Sequence, residues 1–327
     1  MNNNSFGATL KGFEATNSMS REEIIFEVLE ATGLNWSVRK EPLVTQSSGI
    51  IATDKVGAIR SDSNAYIGSV GKDYQHLQNA DMVSLVYDSA KEVFDPNSEF
   101  RHPWNNSETL GTFGNMGGGS LKNGNRVFVQ LQLPELHIGK SGVKRFISGT
   151  NGHDGTHGFG FGTSNQVICC ANTFAIANRD LAKIKHTSSM QQKIDEAVKS
   201  LRKVLEFEEK QMEVFEIASN RAFDKKHIQD IVLSVFGKSV DSKTDEVSTR
   251  MKNQMIEFSA DINQSIQEQG ETLWALFNGV TRYTNHTTKA KDKDFGLMFG
   301  TEAQTNQRAY EQLVHWLKEP ALEMVAL

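Results

Sequence analysis

The chain has 327 residues, 38% of them hydrophobic and 23% charged, with 5 prolines and a formal charge of −5. That length suffices for one large domain or two ordinary ones around a sizeable core, and the composition excludes a disordered or collagen-like chain. No run approaches the roughly 18 apolar residues of a membrane span and no leader-like stretch opens the sequence, so a cytoplasmic protein without membrane association is expected.

Residues 1–18 are polar and are expected to form a loose arm. Ser20 is placed to cap a helix whose first turn carries Glu22 and Glu23, whose apolar stripe is Ile24, Ile25, Val28 and Leu29, and which Gly33 ends. Trp36–Val44 reads as a strand, and residues 49–70 as two antiparallel strands closed by the turn Ser61-Asp62-Ser63-Asn64. Leu77–Phe94 returns to helical spacing. Residues 95–119, rich in Asn, Ser and Gly, predict an exposed loop made flexible by Gly117-Gly118-Gly119. Strands are predicted at Arg126–Leu133 and Val143–Gly149, and then as a pair at Gly158–Gly162 and Gln166–Cys170.

After Thr187 the pattern changes. Ile194, Val198, Leu201, Leu205, Met212 and Phe215 recur in steps of three and four, interrupted by Glu208 and Ser219, as in a long coiled-coil-like helix over 190–222. Further helices are predicted at Lys226–Phe236, Thr244–Gln267, Thr272–Tyr283 and Glu302–Leu317. The fold class expected is α+β: an N-terminal antiparallel sheet with packed helices over residues 19–187, then an all-helical part over 188–327.

The stretch from Gly149 to Thr173 concentrates His153, Asp154, His157 and both cysteines. His153 beside Asp154 could act as an acid/base pair or ligate a metal with Cys170, His186 or His286, but no ligand spacing of a known metal motif occurs. The plainer reading is a turn at Asp154-Gly155, with His153 bonded to the loop backbone. Adjacent Cys169 and Cys170 offer no disulfide framework and suit a reducing compartment. The glycines of Gly158–Gly162 lack the helix a dinucleotide loop requires and the Lys-Ser/Thr of a phosphate loop. Phe159 and Phe161 share one strand face, where they either stack on bases or join the core.

Charge is unevenly spread. Between Ser120 and His186 eight basic residues face three acidic ones, a local +5 in a chain of net −5. Lys140, Lys144 and Arg145 precede the glycine-rich stretch, and Arg179, Lys183, Lys185 and His186 follow it, so a sheet joining both groups would make a groove for a phosphate backbone. The alternative is a set of solvated edges. On the helix predicted after Thr272, Trp274 and Asn278 share a face; Trp274 is the expected core anchor and His286 the expected cap of the helix end.

Several motifs occur in order: Arg60-Ser61-Asp62, Gly119-Ser120-Leu121, Asn151-Gly152-His153-Asp154-Gly155, Cys170-Ala171-Asn172-Thr173 and Lys185-His186-Thr187, then Trp274, Asn278, Tyr283 and His286. Through them the chain, over roughly residues 35–315, resembles a family of unknown function found in phages, plasmids and prophage islands. Thr156 and Cys169 depart from that pattern, where serine and a plain apolar residue are usual. The resemblance marks His153, Asp154, Cys170, Asn172, Thr173, His186, Trp274, Asn278 and His286 as a junction of structural or functional weight. The order of helix 20–32, strands 36–70 and helix 77–94 is also similar to that of Rad52-like single-strand annealing proteins, which implies a basic groove and ring or filament assembly.

The expected function is therefore that of a phage or plasmid DNA-binding protein that holds single-stranded DNA, with strand annealing in recombination or replication as the associated activity. Phosphates would contact Lys140, Lys144, Arg145, Arg179, Lys183 and Lys185, and bases Phe159 and Phe161. A binding role is expected ahead of a catalytic one, with no metal or cofactor and with self-association through helix 190–222. Two alternatives stand beside it: a metal-dependent hydrolase or nuclease centred on His153, Asp154 and His186, and a structural or host-interacting protein that binds no DNA.

Overall fold

The computed structural model describes residues 20–94, 116–121, 124–167, 172–176, 190–237, 248–289 and 291–318. The expected arm over residues 1–18 lies outside them. Helix α1 (Arg21–Thr32) begins as the sequence predicts: the Ser20 hydroxyl accepts from the Glu23 N–H, the Glu23 carboxylate accepts from the Ser20 N–H, and Gly33 closes the helix in the left-handed conformation. Its apolar stripe packs with α2 (Asn79–Phe94), and Arg21 clamps Asp88 of α2 with two hydrogen bonds of 2.7 and 2.6 Å.

Strands β1 (Val38–Val44), β2 (Ile51–Arg60) and β3 (Tyr66–Gly71) form an antiparallel sheet in that order. The turn between β2 and β3 places Asn64 at φ +56°, a conformation that Asn tolerates. A second sheet has the order β4-β5-β6-β7-β8, built from β4 (Met116–Leu121), β5 (Arg126–Ile138), β6 (Ser141–Gly152), β7 (Gly160–Val167) and β8 (Asn172–Ile176).

Two expectations are corrected here. Gly117-Gly118-Gly119 is not flexible loop but part of β4, paired antiparallel with β5. A Cβ on Gly118 would lie 2.4 Å from the Phe128 carbonyl oxygen, so the missing side chain allows close approach of two backbones rather than mobility. The strand pair predicted at Gly158–Gly162 and Gln166–Cys170 is instead one continuous strand, β7, as far as Val167; residues 168–171 lie outside the described part.

Helix α3 (Met190–Ser219) is 30 residues long and begins where the sequence predicts, but it ends before the expected residue 222. It is followed by α4 (Lys225–Phe236), α5 (Thr249–Gln269), α6 (Leu273–Arg282), a π-helical turn (Tyr283–Thr287), α7 (Lys293–Phe299) and α8 (Thr301–Lys318). Side-chain caps start α4 at Asp224, α5 at Ser248, α6 at Thr272 and α7 at Asp292. The change from strands to helices falls between Ile176 and Met190, but the compact units are not divided there.

One unit comprises Met1–Pro134, Phe146–Thr163 and Asn178–Glu206; the other comprises Glu135–Arg145, Ser164–Ala177 and Phe207–Leu327. The helical unit is thus not all-helical, because it includes strand segments of β5, β6 and β7 and all of β8. Each unit has its own core. In the first, Val28, Leu34, Met82, Leu85, Val127, Phe159 and Leu201 are buried together; in the second, Val143, Phe215, Phe258, Trp274, Phe277, Leu313 and Trp316 are.

Candidate functional site

In the first unit the loop between β6 and β7 is held from several sides. Asn151 Nδ2 donates to the Leu77 carbonyl at 2.9 Å, and the His153 N–H donates to the Asn125 carbonyl at 3.0 Å. The His153 ring is fully buried, with Nε2 2.9 Å from Asn79 Oδ1. Asn79 Nδ2 donates to the Leu34 and Trp36 carbonyls at 3.0 and 2.9 Å, which fixes its Oδ1 as the acceptor and places a proton on His153 Nε2. His153 thus bonds a backbone carbonyl through its own N–H, and its ring bonds a side chain at the start of α2. The same ring lies 5.4 Å from Trp36 and 6.0 Å from His76, which in turn meets Tyr74 edge-on at 4.9 Å.

Asp154 turns away from that row. Its Oδ1 accepts from Arg126 Nη1 at 2.7 Å, from the Thr156 N–H at 3.0 Å and from the Thr156 hydroxyl at 2.8 Å, while Arg126 Nη2 donates to the same hydroxyl. Burial alone would raise the Asp154 carboxyl, but the Thr156 N–H and Arg126 outweigh it and hold the pKa below the ordinary value. Gly152 leaves room for this clamp: a Cβ there would lie 2.7 Å from the His157 carbonyl oxygen and 2.8 Å from Arg126 Nη1. Arg60, from the Arg60-Ser61-Asp62 motif, binds Asp62 through two hydrogen bonds of 2.9 and 2.7 Å and sits 4.1 Å over the Trp36 ring. Ser61 accepts from the Ser37 N–H at 2.9 Å. Two of the sequence motifs thus meet on Trp36. Asn79, His76 and Tyr74 carry no sequence signal for this role; Arg126 had one only as a member of the basic segment.

The second unit holds a separate cluster. Strand β8 packs against α6, α7 and α8, which brings the backbone of Asn172-Thr173 beside the helices that carry the remaining motif residues. Trp274 is the buried anchor the sequence suggests, stacked on Phe277 at 5.8 Å and 4.7 Å from Phe215. Asn278 Nδ2 donates back to the Trp274 carbonyl at 3.0 Å, and Thr284 donates to Asn306 Oδ1 at 2.9 Å. Tyr283 is buried edge-on against Phe258. His286 is exposed in the π-helical turn that follows α6.

Of the residues expected to contact DNA, three are corrected. Arg145 is 2% exposed and donates to both carboxylate oxygens of Glu208, at 3.2 and 3.0 Å, so its guanidinium faces α3 and not a phosphate. Phe159 and Phe161 do share a face, but they are 1% and 7% exposed and meet edge-to-face at 5.2 Å inside the core, which removes them as stacking platforms. Lys140 is exposed at the turn between β5 and β6, and Lys144 is half-buried on β6. Arg179, Lys183, Lys185, His186 and Cys170 lie outside the described residues, so the groove joining both basic groups and the His153–Asp154–His186 constellation do too. Among the described residues no group of three or more His, Cys, Asp or Glu side chains is arranged to hold a metal ion, and no helix is long and apolar enough to cross a membrane.

These features define an α+β protein in which motif residues of the first unit are tied into a polar cluster around His153 and Asp154, whereas Trp274, Asn278 and Tyr283 of the second are buried among its core residues. Residues 109–311, more than half of the chain, match the model of a domain of unknown function, DUF932, and the chain belongs to that family. No curated protein and no solved structure matches it. The matched residues include β4 to β8 and all helices from α3 to α7; Arg60-Ser61-Asp62 and the three-stranded sheet precede them.

Proposed function

We propose that the chain is a DNA-binding protein of a phage or plasmid that prefers single strands, works in the cytoplasm as a homo-oligomer and binds rather than catalyses. The mobile-element setting and the annealing role rest on the sequence resemblances alone. The observation that carries DNA binding is the β5–β6 hairpin. Successive side chains on a strand point to opposite faces, so the inward course of Arg145 sends Lys144 outward, and Lys140 stands exposed at the turn. Neither lysine is in an ion pair among the described residues. With Phe159 and Phe161 buried, contact falls to phosphates, and little base preference is expected. Arg179, Lys183 and Lys185 complete the proposed phosphate-contacting set.

Fluorescence anisotropy of a labelled single-stranded oligonucleotide, repeated with the duplex between 50 and 200 mM salt, tests the reading. Affinity should fall linearly on a log–log plot, by about 0.7 per neutralised phosphate for a single strand. Lys140→Ala with Lys144→Ala should weaken binding and flatten that slope. Salt-insensitive binding, or none at 50 mM salt, would refute it.

A further inference from the structure

With Phe159 and Phe161 buried, the bases of a bound strand lack the partners first expected for them. Among the described Phe, Tyr and Trp residues two are more than half exposed, Phe26 at 54% and Tyr66 at 58%. Charge separates them. Phe26 stands on α1 one turn from Glu22, Glu23 and Glu30, a surface that repels a phosphate chain. Tyr66 stands among cations.

Tyr66 opens β3 and is the register partner of Ile59 on β2, which pairs in turn with Arg39 on β1, so the three side chains form a row across the sheet. Val38 and Ala58 enter the core from one face of this sheet. The row lies on the other face, where Arg39, Lys55 and Ser69 are exposed as well. The Tyr66 ring leans over Gly57 of β2: a Cβ on that glycine would lie 3.5 Å from Tyr66 Cε2 and 3.3 Å from Leu43 Cδ2. The ring therefore lies along the sheet, beside a position without a side chain, and its outer side is open. Glu41 on the same face and Asp62 in the adjoining turn are bound by Arg39 and Arg60 at 2.8 and 2.7 Å, and Asp54 points to the opposite face. Lys55, about 13 Å from Ile59 along the same strand, is in no ion pair among the described residues.

We propose, resting on the DNA binding proposed above, that Tyr66 stacks on an unpaired base of a single strand laid across this face of the sheet, with Lys55 meeting its phosphates. A lone exposed ring is ordinary on a protein surface. This one lies on an open sheet face whose nearby acids are already bound by arginines and whose free cation stands along the same strand. Aromatic rings beside cations are how single strands are held without sequence preference, because every base has a π-face. A duplex, whose bases are stacked on one another, gains nothing from Tyr66.

The test compares a labelled single strand with its duplex by fluorescence anisotropy. Tyr66→Ala and Tyr66→Leu should each weaken single-strand binding about tenfold, Tyr66→Phe by less than about twofold, and none should alter duplex binding. Leu still covers Gly57, so its loss reports stacking and not the cover that a merely structural tyrosine provides. A stacked base carries no charge, so the salt slope should stay that of the wild-type chain, whereas Lys55→Ala should flatten it by about 0.7. In the unaltered chain, a photo-cross-link from iodouracil in the strand should map to Tyr66 by mass spectrometry. A wild-type chain that binds no single strand would sink the DNA reading and the stacking contact with it. Wild-type binding that Tyr66→Leu matches, an equal loss for the duplex, or cross-links confined to other residues would overturn the stacking contact alone.

Discussion

Two arginine–carboxylate pairs, one in each unit, use the same chemistry to different ends. Arg126 of β5 holds Asp154 at 2.7 Å with side chains 12% and 17% exposed; Arg145 of β6 holds Glu208 at 3.0 Å with side chains 3% and 0% exposed. At the first, solvent remains near and the Thr156 N–H shares the carboxylate, so Asp154 titrates below its ordinary value. At the second, burial pushes the Glu208 carboxyl up to about 7 although Arg145 pulls the other way, and burial lowers the Arg145 pKa as well. Partner and distance are nearly equal, so desolvation decides the sign. The Asp154 pair locks a surface loop, whereas the Glu208 pair ties a strand to a helix at a net cost in hydration.

The largest effect is expected at Arg145. Arg145→Leu leaves a buried carboxylate without its counter-charge and should cost about 3–5 kcal/mol in urea unfolding at pH 8. The loss should shrink on acidification, as Glu208 takes up a proton. Adding Glu208→Leu should recover most or all of it, since a buried pair is often matched by apolar residues of similar volume. A double variant no more stable than Arg145→Leu alone would show that the pair is needed for more than mutual neutralisation.

Arg126→Ala should be milder, about 1–2 kcal/mol, because Asp154 keeps its Thr156 bonds and can reach water. Hydrogen exchange should quicken at Asp154–His157 before the rest of the unit responds. Gly152→Ala should cost a similar amount, since its methyl group meets a backbone carbonyl and not a yielding side chain.

The smallest effects lie in the pH profile, where the pairs act in opposite directions. Glu208 is raised in the folded state, so its stabilising contribution is complete below about 4.5 and is lost as pH rises through about 7. Asp154 is lowered, so its contribution is present above about 4 and is lost as pH falls through its folded value. Melting temperatures taken from pH 3 to 8 should therefore show Glu208→Gln flattening the neutral side and Asp154→Asn the acid side. An unchanged slope between pH 5 and 7 in Glu208→Gln would contradict the environment described for that residue.

Part of this was legible in the residues. The cap and stop of α1, the hairpin turn at Asn64 and the long α3 follow from local rules that need no tertiary partner. The Arg145–Glu208 pair had a signal as well, although one divided between two elements. Arg145 has the strand parity of buried Val143, and Glu208 takes the place of an apolar residue between Leu205 and Met212 on α3. Each alone looks like an exposed charge or an interruption; each is in fact the other's reason to be there. Phe159 and Phe161 were correctly set on one face, but alternation says only that two residues share a side, not which side is covered.

The sequence by itself determined where α1 starts and stops, which strand residues share a face, and that strands give way to helices along the chain, a change expected after Thr187. Those are matters of backbone geometry and of side chains acting over a few residues. Only the tertiary structure decided which face is dry, which charges are paired, and that a triple glycine is a strand and not a hinge. Each of these depends on what lies across a gap of many residues, because burial and pairing are properties of the neighbour as much as of the residue. For the same reason the His153–Asp154 stretch, suggestive of chemistry in isolation, becomes in its fold a lock between a loop, a helix start and a sheet.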